Sequence, residues 1–198
     1  MSPFGKNRFT CKAVAGMLAV TCLLAGGILE IRAQTVARLY PVRHGQLKLQ
    51  VPAGWSEEVK SATPGAAMTL AFRPAQGSRF LIRLTVSWDE NAGPSYNSDE
   101  RLQEIAMAAG NQFLPRSVEK QVKLEQVKGK QVRGCYFVLT DKAPRSGDYV
   151  IMAQGAAALG DALIVFTYLG YPGGEAELQS FIELLRGASL TTPLQDQR

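Results

Sequence analysis

Asp148-Tyr-Val-Ile-Met-Ala-Gln-Gly-Ala-Ala-Ala-Leu159, then Gly160-Asp161, then Ala162-Leu-Ile-Val-Phe-Thr-Tyr-Leu169, is the segment from which the architecture follows. Two extended apolar runs meet at a two-residue Gly-Asp link. So short a link allows only a reversal, so the runs pair antiparallel. The preceding stretch repeats the arrangement. Ser117–Val127 and Gln131–Thr140 read as strands joined by Lys128-Gly129-Lys130, a second hairpin. Four consecutive antiparallel strands therefore occupy the C-terminal half.

Outward from them, the pattern changes period. After the loop 170–174, Glu175–Arg186 places Leu178, Phe181, Ile182 and Leu185 on one helical face, and Gly187 stops the run. Upstream, Ser98 or Asp99 reads as a helix N-cap, with Asp99 and Glu100 suited to the helix dipole. Leu102, Ile105, Ala106, Ala109 and Phe113 follow with helical spacing to about Gln112, and Pro115 marks the end. Further upstream the period is two. Leu47–Val51, Ala67–Arg73 and Arg79–Trp88 read as strands. Phe80, Ile82, Leu84 and Val86 share one face of the last. Trp55 opens a short extended piece after the Pro52-Ala53-Gly54 turn. The order is strands, helix, four strands, helix. It predicts an α+β domain, an antiparallel β-sheet flanked by amphipathic helices, not an alternating parallel fold.

The N-terminus reads differently. Lys6, Arg8 and Lys12 precede an uncharged run, Ala13–Leu29, and Ile31-Arg32-Ala33 follows. Basic start, apolar middle and a small residue for cleavage are the parts of a secretory signal. The run has 17 residues and three glycines, against about 20 apolar residues for a span. Cleavage after Ala33 is expected; an uncleaved run 13–29 would instead tether the domain to the membrane. Lipoprotein processing at Cys22 is disfavoured by Thr21 and Ala19 before it. The expected organisation is a signal peptide at 1–33, an irregular segment at 34–45, one α+β domain at 46–191 and a polar tail at 192–198.

Without the leader the composition changes meaning. The whole chain carries +5; residues 1–33 hold four bases and one acid, so the rest has 18 bases against 16 acids, or +2. The excess of positive charge is largely the leader's and is no argument for nucleic acid. Cys11 and Cys22 also lie in the leader. Cys135 is then alone, and the domain must be held by its core, without a disulfide. Disulfide-free exported domains fit a bacterial periplasmic or secreted setting.

Leu49-Gln-Val-Pro-Ala-Gly-Trp55 is a strand followed by Pro-x-Gly-Trp. Later come a Tyr-Phe-Val-Leu-Thr strand, a Tyr-x-x-Met strand, a Gly-Asp turn, Ala-Leu-Ile-Val-Phe-Thr-Tyr, and a helix ending in Gly-Ala-Ser-Leu. Over about Leu47 to Leu190 this order resembles the PsbP-like fold. That group includes an extrinsic photosystem subunit, a Ran-binding nuclear import factor and many bacterial exported proteins. The resemblance implies an antiparallel sheet with flanking helices and a non-enzymatic binding or assembly role. It transfers no functional residue.

The residues themselves offer little chemistry. His44 is the single histidine, so a Ser-His-acid hydrolase or a histidine metal centre would have to use it. No Gly-x-Ser-x-Gly elbow and no Gly-x-x-x-x-Gly-Lys phosphate loop exists. Cys135 shares a strand face with Phe137 and Leu139 and reads as a buried thiol. Asp89-Glu90 and Asp99-Glu100 lack the spacing of a calcium loop. Lys120, Lys123, Lys128, Lys130 and Arg133, diluted by Glu119 and Glu125, read as a solvated hairpin edge. No catalytic residue, metal ligand or cofactor-binding residue is expected, and no cofactor. Trp55, Tyr96 and Tyr171 are the candidate partner contacts. The expected function is an exported, non-catalytic domain binding an unidentified protein partner or supporting assembly in the cell envelope. The alternative is a small-molecule or lipid carrier with a pocket between helices and sheet near Trp55, Phe113 and Phe181.

Overall fold

Gly160-Asp161 reverses the chain as its sequence requires, with Gly160 at φ 60°, a left-handed conformation that glycine adopts without a Cβ penalty. A computed structural model describes residues 34–43, 45–61, 67–77, 79–89, 93 and 95–191. The leader, His44, Glu90 and the tail fall outside them. The strands are β1 (Thr35–Val42), β2 (Gly45–Pro52), β3 (Trp55–Ser61), β4 (Met68–Pro74), β5 (Phe80–Ser87), β6 (Glu125–Lys128), β7 (Val132–Thr140), β8 (Ile151–Leu159), β9 (Ala162–Gly170) and β10 (Ser189–Thr191). The helices are α1 (Asp99–Phe113) and α2 (Glu175–Arg186). The fold is α+β.

Seven strands form one antiparallel sheet in the order β3-β4-β5-β9-β8-β7-β6; β1-β2-β10 form a small second sheet. The large sheet is two meanders, β3–β5 and β6–β9, zipped together at β5 and β9. α1 makes the crossover from β5 to β6. The Ser98 hydroxyl caps its start by accepting from the Arg101 amide, with Asp99 and Glu100 in the first turn.

The period-two pattern sorts side chains to two faces. Ile82, Tyr168 and Ala153 lie in one cross-strand row, and Leu84, Phe166 and Gly155 in the next. That face is covered by α2 and the small sheet, whose Leu47, Leu49, Phe181, Ile182 and Leu185 are buried with it. On the other face Cys135, Ala156, Ala158 and Leu163 pack against Leu102 and Ala106 of α1. The alanine-rich β8 is explained by this double burial. Small side chains on both faces let elements approach from both sides.

Two sequence expectations need correction, and one short strand is added to the expected elements. The segment 34–45, expected to be irregular, contains β1, paired with β2 from Thr35↔Pro52 to Val42↔Gly45. Tyr40 is its one buried residue. An edge strand with so little burial shows no apolar alternation. Its Tyr40 hydroxyl bonds Glu57 and so ties the small sheet to β3. The strand expected at Ser117–Val127 is only Glu125–Lys128. Before it, Val122 sits against Gly110 of α1, as Phe137 does, and Leu124 joins the α1 cluster. Contact with the helix lifts this stretch off the ladder. Lys120 and Lys123 are therefore not on a hairpin with Lys128 and Lys130, and Arg133 pairs with Asp99 of α1. Finally, β10 follows α2 and closes on β2, a three-residue element too short for periodicity to reveal.

Candidate functional site

α1 stops one cross-strand row short of the sheet's edge. Phe137 lies beneath Gly110 and is fully buried. The next row on that face, Leu139, Met152 and Leu169, runs on past the helix. A 3-10 turn, Leu114–Arg116, ends α1, and Ser117 bridges to Asp141 beside β7. Between this shoulder and the sheet is a hollow of about 190 Å³, lined by Phe113, Leu139, Ile151, Met152 and Leu169 with Tyr149, Arg116, Ser117, Thr140 and Asp141. Its apolar residues outside β7 are half-buried. Tyr149 packs against Tyr171 in a tilted arrangement, with ring centroids 5.0 Å apart and 43° between the planes. The Tyr171 hydroxyl donates to the Gly147 carbonyl at 2.9 Å. The result is a concave apolar patch with an aromatic pair at its side.

Glu119 holds the shoulder. Its carboxylate accepts from the Thr140 amide and the Thr140 hydroxyl, both at 2.9 Å. Partial burial would raise its pKa. The Thr140 amide, its own amide and the Thr140 and Ser117 hydroxyls outweigh that and hold the carboxyl below its ordinary value. A carboxyl depressed in the folded state contributes stability that is present above its unfolded pKa and lost as pH falls through the folded one. Glu119→Gln is expected to cost about 1–2 kcal/mol at neutral pH. The gap from wild type should close on acidification. Urea midpoints of both proteins across the acid range check this; a gap independent of pH would contradict it.

The three expected contact residues do not form one site. Trp55 is half-buried and works as a lid on the core, 4.8 Å from Phe80 and 6.1 Å from Phe72 between ring centroids. It also borders a wide, open groove of about 630 Å³ with Pro52, Arg79 and Glu177. Tyr171 lies at the same end of the sheet, its amide bonded to the Arg79 carbonyl. Tyr96 is at the opposite end, half-buried against the α1 cluster with its hydroxyl 3.0 Å from Ser87 Oγ. Of the three, Tyr171 alone borders the hollow, through Tyr149. Tyr149, Phe113 and Arg116 become site residues only because the chain brings 113–116 next to 149–152. Sequence spacing carries no sign of that.

Cys135, Tyr136 and Asp99, among the described residues, are accounted for by packing and pairing. Cys135 is buried and free, and burial, with Asp99 nearby, raises its thiol pKa. It is a poor nucleophile in the folded protein. Burial and hydrogen bonding to Glu125 at 2.6 Å push Tyr136 up to about 12. Asp99 is engaged by Arg133. Among the described residues no group of three or more His, Cys, Asp or Glu could hold a metal ion, and no helix is long and apolar enough to cross a membrane.

No family model matches the chain, and no curated protein matches it. Among solved structures it is similar to cyanobacterial PsbP from Synechocystis, at 15% identity and a TM-score of 0.47, over 81% of this chain and 94% of that one. It is also similar to a protein from Bacteroides thetaiotaomicron, at 10% identity and a TM-score of 0.45. That match covers 74% of this chain and 46% of the other, so this chain spans about half its length. The likeness is one of fold.

Proposed function

We propose that this protein is exported through residues 1–33 and acts as a non-catalytic domain that docks a protein partner at the hollow beside Tyr149. The observation that supports docking is where the empty space lies. At the centre of the layer between α2 and the sheet Phe181 is fully buried and meets Phe166 edge-on at 5.5 Å, and the space at that layer's rim is the wide, open groove beside Trp55. The Phe113 hollow is at the surface and holds about 190 Å³, below the roughly 300–1,000 Å³ of ligand pockets. A space of that size suits one anchoring side chain, and interface energy concentrates in such anchors.

Two experiments test the proposal. Fractionation with N-terminal mapping is expected to find the chain outside the cytosol and beginning near Gln34; an intact cytosolic chain would overturn export. A photo-crosslinking residue at position 149 is expected to give a discrete protein adduct in envelope preparations. The same residue at Glu58, on the opposite edge strand, should give none. Equal patterns at both positions would overturn docking at the hollow.

A further inference from the structure

We infer that the hollow receives the C-terminal residue of a partner chain, with its apolar side chain inside and its α-carboxylate on Arg116. This rests on the docking reading above and specifies its occupant.

The size of the space comes first. A dry cavity of about 150 Å³ accommodates one benzene ring. At about 190 Å³ this hollow has room for one aromatic or branched side chain. Phe113, Leu139, Met152 and Leu169 supply an apolar wall for it.

The polar groups around it are unequally engaged. The Ser117 hydroxyl donates to the Leu114 and Glu119 carbonyls. The Thr140 hydroxyl donates to Glu119. Asp141 accepts from the Ala143 amide at 2.9 Å. Arg116 is exposed, and its guanidinium has no ion pair or hydrogen bond among the described residues; nor does the Tyr149 hydroxyl. The Lys142 ammonium lies 2.7 Å from the Pro115 carbonyl, one residue from Arg116, and adds positive charge there. With Asp141 subtracted from Arg116 and Lys142, these three side chains leave a net charge of +1. Asp141 keeps one carboxylate oxygen free and the Tyr149 hydroxyl can donate or accept, but the free cation is Arg116, whose fork matches a carboxylate in two-point geometry. A chain end carries that carboxylate on the same residue as its side chain. One ordered residue can therefore satisfy both the apolar wall and the cation, at the least cost in chain entropy.

The test is fluorescence anisotropy of the purified protein with labelled peptides ending in Phe or Leu, as free carboxylates and as C-terminal amides. Amidation is expected to weaken binding roughly 10- to 100-fold, the loss of one charge-assisted contact. Arg116→Ala, at an exposed position that does not support the fold, should weaken the carboxylate to the level of the amide. Leu169→Trp should fill the hollow and remove binding of both, with circular dichroism confirming the fold. Equal binding of carboxylate and amide would overturn the inference. So would free phenylacetate competing as well as the peptide, which would make the hollow a small-molecule site. If no peptide binds while position 149 still crosslinks a protein, the occupant is wrong and docking survives. Loss of that adduct as well would remove both.

Discussion

Replacing Phe181 by alanine is expected to destabilise the protein by about 3–5 kcal/mol. The residue is fully buried at the centre of the layer between α2 and the large sheet. Its ring meets Phe166 at 73° with centroids 5.5 Å apart, an edge-to-face arrangement that adds to the area it buries. The neighbouring Ile182, Leu184 and Leu185 are fixed on the same short helix and cannot collapse into the space. Against a total stability of about 5–15 kcal/mol for a domain, the loss is large. Urea or guanidinium unfolding should show a lower midpoint with an unchanged slope. A loss below about 1 kcal/mol would mean that α2 is not docked as described.

Gly155→Ala is expected to be destabilising by about 2–3 kcal/mol, although alanine is the commonest residue around it. A Cβ at this position would lie 2.2 Å from the Cys135 carbonyl oxygen and 2.6 Å from Tyr136 Cβ. Both atoms belong to β7, which pairs with β8 through Tyr136↔Gly155. A backbone oxygen cannot turn aside as a side chain can, so the ladder itself must shift. Ordinarily such a change inside a strand gains a fraction of a kcal/mol from reduced backbone entropy. Here the sign reverses. Gly54 supplies the control: a Cβ added there would meet nothing within 4 Å, and Gly54→Ala should stay within about 0.5 kcal/mol of wild type. Thermal or denaturant unfolding of both variants tests the contrast, and equal effects would contradict the close approach of β7 and β8.

Much of this fold can be read from particular residues. Phe80, Ile82, Leu84 and Val86 alternate because one face of β5 is buried, and all four are. Glu175–Arg186 shows its apolar stripe because α2 covers a core, and its limits match the expected ones. The failures have physical causes of the same kind. β1 is exposed along most of its length, so burial left no pattern in it. The stretch 117–124 has strand-like composition, but Val122 and Leu124 are bound to α1. Trp55 reads as a contact candidate as an aromatic at the head of a short extended piece, and Tyr96 because loops often present aromatics. In the folded chain one lids the core and the other is tied to Ser87.

The order of amino acids alone carries the types and succession of the main elements, the antiparallel sense of the paired strands, and the lack of a second cysteine for Cys135 outside the leader. Those properties are local: periodicity, turn length and composition act over a few residues. The joining of the two meanders at β5 and β9, the small sheet, and the hollow come only from long-range packing. The hollow depends on how far α1 reaches across rows of β7, β8 and β9, and on Arg116 and Tyr149 meeting across more than thirty residues of chain. Such a juxtaposition is set by packing between distant segments, and no local pattern encodes it.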